Sequence, residues 1–150
     1  DIPAPVEEYY AHLSPDTIHW FMKVHHQNIW PLIRTMIENR SGNSVPVVFE
    51  GSALRPEFIS PLLGSDVVGV FLHADNDFLK ERMRSEAAYH AASVERRRVV
   101  DAFIERSLRE NDDMFAAARN HGVPIFDAAD SEAISDLIKA LAARTGTFPA

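Results

Sequence analysis

Glu50 closes the run VPVVFE and is followed at once by Gly51 and Ser52, with Arg55 shortly after. A carboxylate at the end of an apolar run is costly to bury without a partner, and nothing after Glu50 reads as the start of a helix. Such a group can accept a hydrogen bond, hold Mg2+ through water, or steer an acceptor hydroxyl. His73, Asp75 and Asp127 also follow apolar runs by a residue or two. In open parallel sheets ligands bind beyond the carboxyl ends of the strands, so these residues define a candidate rim. Asp75 and Asp127 have a second reading as helix-start residues, for which Asp is a common choice.

The arginines are unevenly spread. Seven of the twelve lie between Arg82 and Arg109. Many can pair with the interleaved acids along solvated helix faces, which accounts for most of Arg96, Arg97 and Arg98. Arg82 and Arg84 are two residues apart, hence on different faces, in the first helix after an apolar run. At least one should project toward the strand ends, where a guanidinium fork suits phosphate oxygens.

His19, Lys23 and His26 recur at i, i+4, i+7 and share one helix face. Metal ligation there would need a carboxylate that this face does not supply. The competing expectation is a polar or acceptor-contacting surface, with His26 the acceptor-facing member. His25 falls on the apolar spacing and reads as a core or boundary histidine; Trp20 and Trp30 read as packing residues.

The elements that must position these groups follow from periodicity and punctuation. Ser14-Pro15-Asp16 opens a long helix: an N-cap, a first-turn proline and an acid at the positive end. Ile18, Met22, His25, Ile29, Ile33 and Met36 carry its helical spacing. Pro31 should kink or divide it, and Gly42 should end it. Val45–Phe49 reads as a buried strand, EFISPLLG as a helical turn or two, and DVVGVFLHA as a second strand buried on both faces. Residues 75 to about 111 read as charged helix with Ser93 a second N-cap. DDMFAAARNH reads as a further helix closed by Gly122. VPIF is a third short strand, and Ser131 caps a last helix bearing Ile134, Leu137, Ile138 and Leu141 on one face. Strands alternating with helices predict an α/β layer around a parallel sheet, as one domain spanning residues 1–150.

With 150 residues, 46% hydrophobic and 25% charged, the chain has the composition of a globular domain with a real core. A net charge of -7 argues against a general nucleic-acid binder. The sequence shows no apolar run long enough to span a membrane and no signal peptide. Its lack of cysteine rules out disulfides and thiolate metal sites and fits a reducing cytoplasm.

Three segments resemble a P-loop kinase of the nucleoside-monophosphate-kinase-like class, which includes shikimate, gluconate and 2-phosphoglycerate kinases. VVFEG resembles the strand carrying an acid beside the nucleotide. GVFLHADNDFLKERMRSEA resembles the strand leading into an arginine-rich lid. VPIFDAADSEAISDLI resembles the final strand, adenine-contacting loop and C-terminal helix. The resemblance implies a three-layer α/β fold, with a parallel sheet, helices on both faces and a helical lid. It implies ATP-dependent phosphoryl transfer to a small-molecule acceptor, with Mg2+ as cofactor.

By position, Glu50 would lie near Mg2+ and the acceptor, and Arg82 or Arg84 on the transferring phosphate. Arg106 is a further candidate beside them, and Arg55 would meet an anionic acceptor. Asp127, Ala128, Ala129 and Asp130 would lie by the adenine. The phosphate-cradling motif G-x-x-x-x-G-K-[S/T] does not occur in these residues. The resemblance places it, with its strand, before Asp1, between the strands at Val45–Phe49 and Val67–Leu72 in the sheet. Without that strand the two runs would not be neighbours. Two other functions fit the same residues: a nucleotide- or partner-binding domain without catalysis, and a hydrolase using Glu50, Asp75 and Asp127 as a carboxylate metal site. Neither the acceptor nor the oligomeric state is fixed by the sequence.

Overall fold

The computed structural model describes residues 3–40 and 45–145. Its elements are α1 (Ala4–His12), α2 (Pro15–Glu38), α3 (Pro56–Ile59), β1 (Phe71–His73), α4 (Asn76–Glu86), α5 (Val94–His121), β2 (Ile125–Asp127) and α6 (Ser131–Thr145). Short 3-10 turns follow α3 and α4, at Ser60–Leu62 and Tyr89–Ala91. The described residues are mostly helical, and the sheet among them has two strands. That corrects the three-layer α/β expectation: among the described residues there is no larger sheet for helices to cover on two faces, and hence no lid upon one. No described helix is long and apolar enough to cross a membrane.

Local chemistry explains where the helices start and stop. Ser14 Oγ accepts from the Thr17 backbone N–H at 3.2 Å, and Pro15 occupies the first helical position of α2. Pro31 lies inside α2 without dividing it, while Gly42, the expected terminator, lies outside the described residues. Ser93 caps α5 through the Arg96 N–H. No break occurs at Asn111, so α5 is one helix of 28 residues. It ends at Gly122, whose φ of 67° is the left-handed conformation glycine adopts without a Cβ penalty. The Val123 N–H then returns to the Ala118 carbonyl, the long-range bond of a Schellman motif. At α6 the cap is Asp130 rather than Ser131, its Oδ1 accepting from the N–H groups of both Glu132 and Ala133.

The described residues fall into two compact units. The first comprises residues 3–28 and 75–113. Its core holds Ile18, Val99, Val100 and Ile104. Beside them Tyr10 packs edge-on against Tyr9 and Phe103, at centroid distances of 5.1 and 5.7 Å. The face of α2 that is buried here carries Ile18 and His26; His25 and Trp20 are exposed, Trp20 by 60%. The apolar spacing had suggested a core or boundary place for His25, and Trp20 had been expected to pack.

The second unit comprises residues 29–74 and 114–145. Ile59, Ala118 and Val123 form its centre, with Trp30, Leu54, Leu63, Phe71 and Ile125 packed around them. Trp30 stacks on Phe58 at 5.3 Å, the packing role expected of it. Gly69 sits so close to Ile59 and Leu63 that a Cβ would meet their side chains below 3 Å.

The strands β1 and β2 pair in parallel, with Phe71 opposite Ile125 and His73 opposite Asp127. Val45–Phe49 is not a strand: it is unpaired, with Val45 and Val48 exposed by 67% and 73%. β-branched residues favour a pleated surface only when a neighbouring strand supplies one, and none lies beside this segment among the described residues. Leu72, half exposed on β1, likewise corrects the expectation of a strand buried on both faces.

Candidate functional site

Two groups of polar residues are built by these elements. The first belongs to the second unit, at the carboxyl ends of β1 and β2. The chain turns directly after β2: the Ala128 N–H donates to the His73 carbonyl at 2.6 Å, and Asp127 Oδ1 accepts from the Ala129 N–H at 2.8 Å. Asp130 then caps α6. Residues 127–130 are thus an exposed turn between a strand end and a helix start. The carboxylates of Asp127 and Asp130 are engaged in making it: Asp127 starts the turn, and Asp130, not Asp127, caps the helix. The His73 ring lies 4.3 Å from that of Phe115.

Glu50 is exposed in its extended segment, and Gly51 follows with φ 139°. Arg55 is buried at the start of α3, where its Nε donates to Glu57 Oε1 at 2.5 Å.

The second group belongs to the first unit. The helix face carrying His19, Lys23 and His26 meets α5, which presents Arg106, Arg109, Glu110 and Asp113 at i, i+3, i+4, i+7. His19 Nε2 lies 3.1 Å from Glu110 Oε2 and 3.6 Å from Asp113 Oδ2. Lys23 Nζ donates to Asp113 Oδ2 at 2.7 Å. His26 Nδ1 is 3.8 Å from Glu110 Oε1, so the Glu110 carboxylate stands between two imidazoles. Both are deep: the side chains of His26 and Glu110 are 4% and 8% exposed.

Above them a cleft of about 360 Å³ opens beside His19, Trp20, Lys23, Gln27 and Asp113. Arg109 reaches Asp16 at its edge. The hydrogen bond to that carboxylate raises the Arg109 pKa further, partly opposed by burial. The carboxylate missing from the His19–His26 face is therefore supplied by a different helix.

The three other arginines expected at the site are engaged within the first unit. Arg82 pairs with Glu86 on the surface of α4, at 3.0 Å. Arg84 lies 3.7 Å from Asp101 and places its guanidinium 4.8 Å from the centre of the Tyr89 ring. Arg106 donates to Tyr10 Oη at 3.2 Å, faces Met22 Sδ, and lies over the Phe103 ring. Asp75 caps α4 by accepting from the Asp77 N–H. Among the described residues, the one group of three metal-ligating side chains is His19, Glu110 and Asp113, and none of Glu50, Asp75 and Asp127 is in it.

No protein-family model, no curated protein and no solved structure matches the chain. Its class is therefore defined by its own features: a mainly helical protein with, among the described residues, one parallel strand pair and two polar clusters.

Proposed function

We propose that the chain binds ATP and transfers its γ-phosphoryl group to a small-molecule acceptor, Mg2+ neutralising the phosphate charge. One observation carries this. The runs that resemble the strand before a lid and the strand before an adenine-contacting loop, β1 and β2, pair with each other in parallel. The exposed turn Asp127–Ala128–Ala129–Asp130 follows directly at their carboxyl ends, where such sheets bind ligands. The adenine is assigned to that turn. The resemblance alone assigns Glu50 to Mg2+ and the acceptor hydroxyl, Arg82 or Arg84 to the transferring phosphate, and Arg55 and Arg106 to the acceptor, where the helix-face spacing adds His26.

A second reading, nucleotide or partner binding without transfer, is favoured by the engagement of Arg82 with Glu86 and of Arg84 with Asp101 and Tyr89. It also accords with the lack of a G-x-x-x-x-G-K-[S/T] motif in these residues.

Thermal unfolding with Mg-ATP, paired with a γ-phosphate release assay, separates the two. A ligand that prefers the folded state stabilises it by about 2.7 kcal/mol at 100 times its Kd. A raised Tm with turnover supports transfer, a raised Tm alone supports nucleotide binding, and an unchanged Tm overturns both of these and favours a partner-binding domain. Glu50→Gln should cut turnover while leaving ATP binding in place; unchanged turnover removes Glu50 from the chemistry. Arg84→Ala and Arg82→Ala should differ, the one that faces the phosphate losing turnover.

A further inference from the structure

We propose that His19, Glu110 and Asp113 form a binding site for one divalent transition-metal ion, and that Lys23 holds Asp113 in its place when no ion is bound. The site is separate from the residues to which Mg2+ was assigned above and stands independently of the phosphotransfer reading.

The first support is hydrogen-bond arithmetic. A neutral imidazole nitrogen offers either one proton or one lone pair. Yet His19 Nε2 faces two carboxylate oxygens, at 3.1 and 3.6 Å. One proton engages one of them, while Lys23 holds the Asp113 oxygen at 2.7 Å; a cation between the three donor atoms would engage all of them. Tetrahedral ligands at about 2.1 Å from an ion stand about 3.4 Å apart. The His19 separations bracket that spacing, and all three donor atoms lie within 4.8 Å of one another.

The second support is charge. Glu110 and Asp113 sit one turn apart on the same face of α5, and the Glu110 carboxylate is more than nine-tenths buried. A buried carboxylate beside another needs compensating positive charge. Lys23 supplies one such charge at Asp113, 2.7 Å away. A dication at the shared point compensates both.

The third support is what surrounds the set. His26 stands 3.8 Å from the far oxygen of Glu110, in the position of a group that orients a ligating carboxylate from behind. On the opposite side His19 and Asp113 face the cleft, which gives an ion an entry path and leaves part of its coordination sphere toward solvent. One imidazole and two carboxylates with no thiolate suit Zn2+, Co2+ or Mn2+. Three protein ligands and an open position are the arrangement in which such an ion polarises water or an oxyanion.

Lys23 makes the proposal specific. Its ammonium occupies Asp113 Oδ2, the same oxygen that faces His19 Nε2. A metal must displace it, so the lysine competes with the ion.

The test is titration of chelator-treated full-length chain with Co2+, followed by calorimetry and by the visible absorption of four- or five-coordinate cobalt. The expected result is one ion per chain, with His19→Ala and Asp113→Asn each weakening binding at least tenfold. Lys23→Met should tighten binding several-fold, which a purely structural ion pair would not do. His12→Ala, on a histidine outside the cluster, should leave affinity unchanged, and circular dichroism checks that each variant is folded. The proposal is overturned if wild-type chain gives no cobalt spectrum. Binding that survives in the folded His19→Ala/Asp113→Asn double variant, or is weakened by Lys23→Met, also overturns it. Mg-ATP stabilisation reads the phosphotransfer proposal separately, so either can fail without the other.

Discussion

His19 and Glu110, ninety-one positions apart in sequence, meet at 3.1 Å on the facing surfaces of α2 and α5. This contact ties the two longest helices of the first unit together through a carboxylate that has almost no access to water. Truncating a buried, hydrogen-bonded carboxylate leaves its partner groups unsatisfied, at a cost of about 1–3 kcal/mol. Glu110→Ala should therefore destabilise the chain by about that amount in urea unfolding at neutral pH. Glu110→Gln, which keeps the shape and one carbonyl oxygen, should cost less. A Glu110→Ala variant within about 0.5 kcal/mol of wild type, the range of an ordinary surface substitution, would show that the carboxylate does not organise this interface.

The contact also marks the boundary of what the sequence discloses. The i, i+4, i+7 spacing of His19, Lys23 and His26 places them on one helix face because helical geometry is local. It carries no information about which distant residues that face will meet, so Glu110 and Asp113 were not legible as partners. The caps at Ser14 and Ser93 and the glycine at Gly122 were legible for the converse reason: each acts within a few residues of itself. At α6 the same logic missed by one residue, since Asp130 and Ser131 are both good acceptors and Asp130 reaches two N–H groups at once.

Val45–Phe49 misled because β-branched composition reports fitness for a sheet and not the existence of one. Asn111 misled differently. A residue disfavoured inside helices is held in α5 while its side-chain amide donates to Asn76 Oδ1 at 3.0 Å. Tertiary partners override propensity there, and two expected helices are one. No element is assigned before Ser14 from the sequence; the helix Ala4–His12 there carries prolines at its start, where they are compatible with a first turn.

Ala88 offers a test of backbone strain. Its φ of 48° and ψ of 41° place a residue with a Cβ in the left-handed region, between the end of α4 and the turn Tyr89–Ala91. For an L-residue other than glycine that conformation costs about 1 kcal/mol. Glycine relieves the strain but adds freedom to the unfolded chain, which offsets part of the gain. Ala88→Gly is expected to raise stability by about 0.5 kcal/mol in chemical denaturation. A loss of more than 1 kcal/mol would mean that the Ala88 methyl contributes packing that outweighs the strain.

Tyr89 supplies the pH dependence. Its hydroxyl donates to Asp101 Oδ2 at 2.8 Å, and this hydrogen bond, with a smaller contribution from burial, raises the phenol pKa above its usual value of 10.0. The guanidinium groups of Arg84 and Arg97 near the ring pull the other way and are outweighed. A raised folded-state pKa means that folding favours the protonated phenol. The resulting stability is fully present below about pH 10, the unfolded value, and is lost as pH rises through the higher folded value. Tyr89→Phe should therefore lower stability at neutral pH, and its difference from wild type should shrink in alkaline solution. The ultraviolet titration of the variant should lack one tyrosine that ionises above the ordinary value. If the missing tyrosine instead ionises at the ordinary value, the bond to Asp101 does not hold in solution, and the link it makes between the turn Tyr89–Ala91 and α5 goes with it.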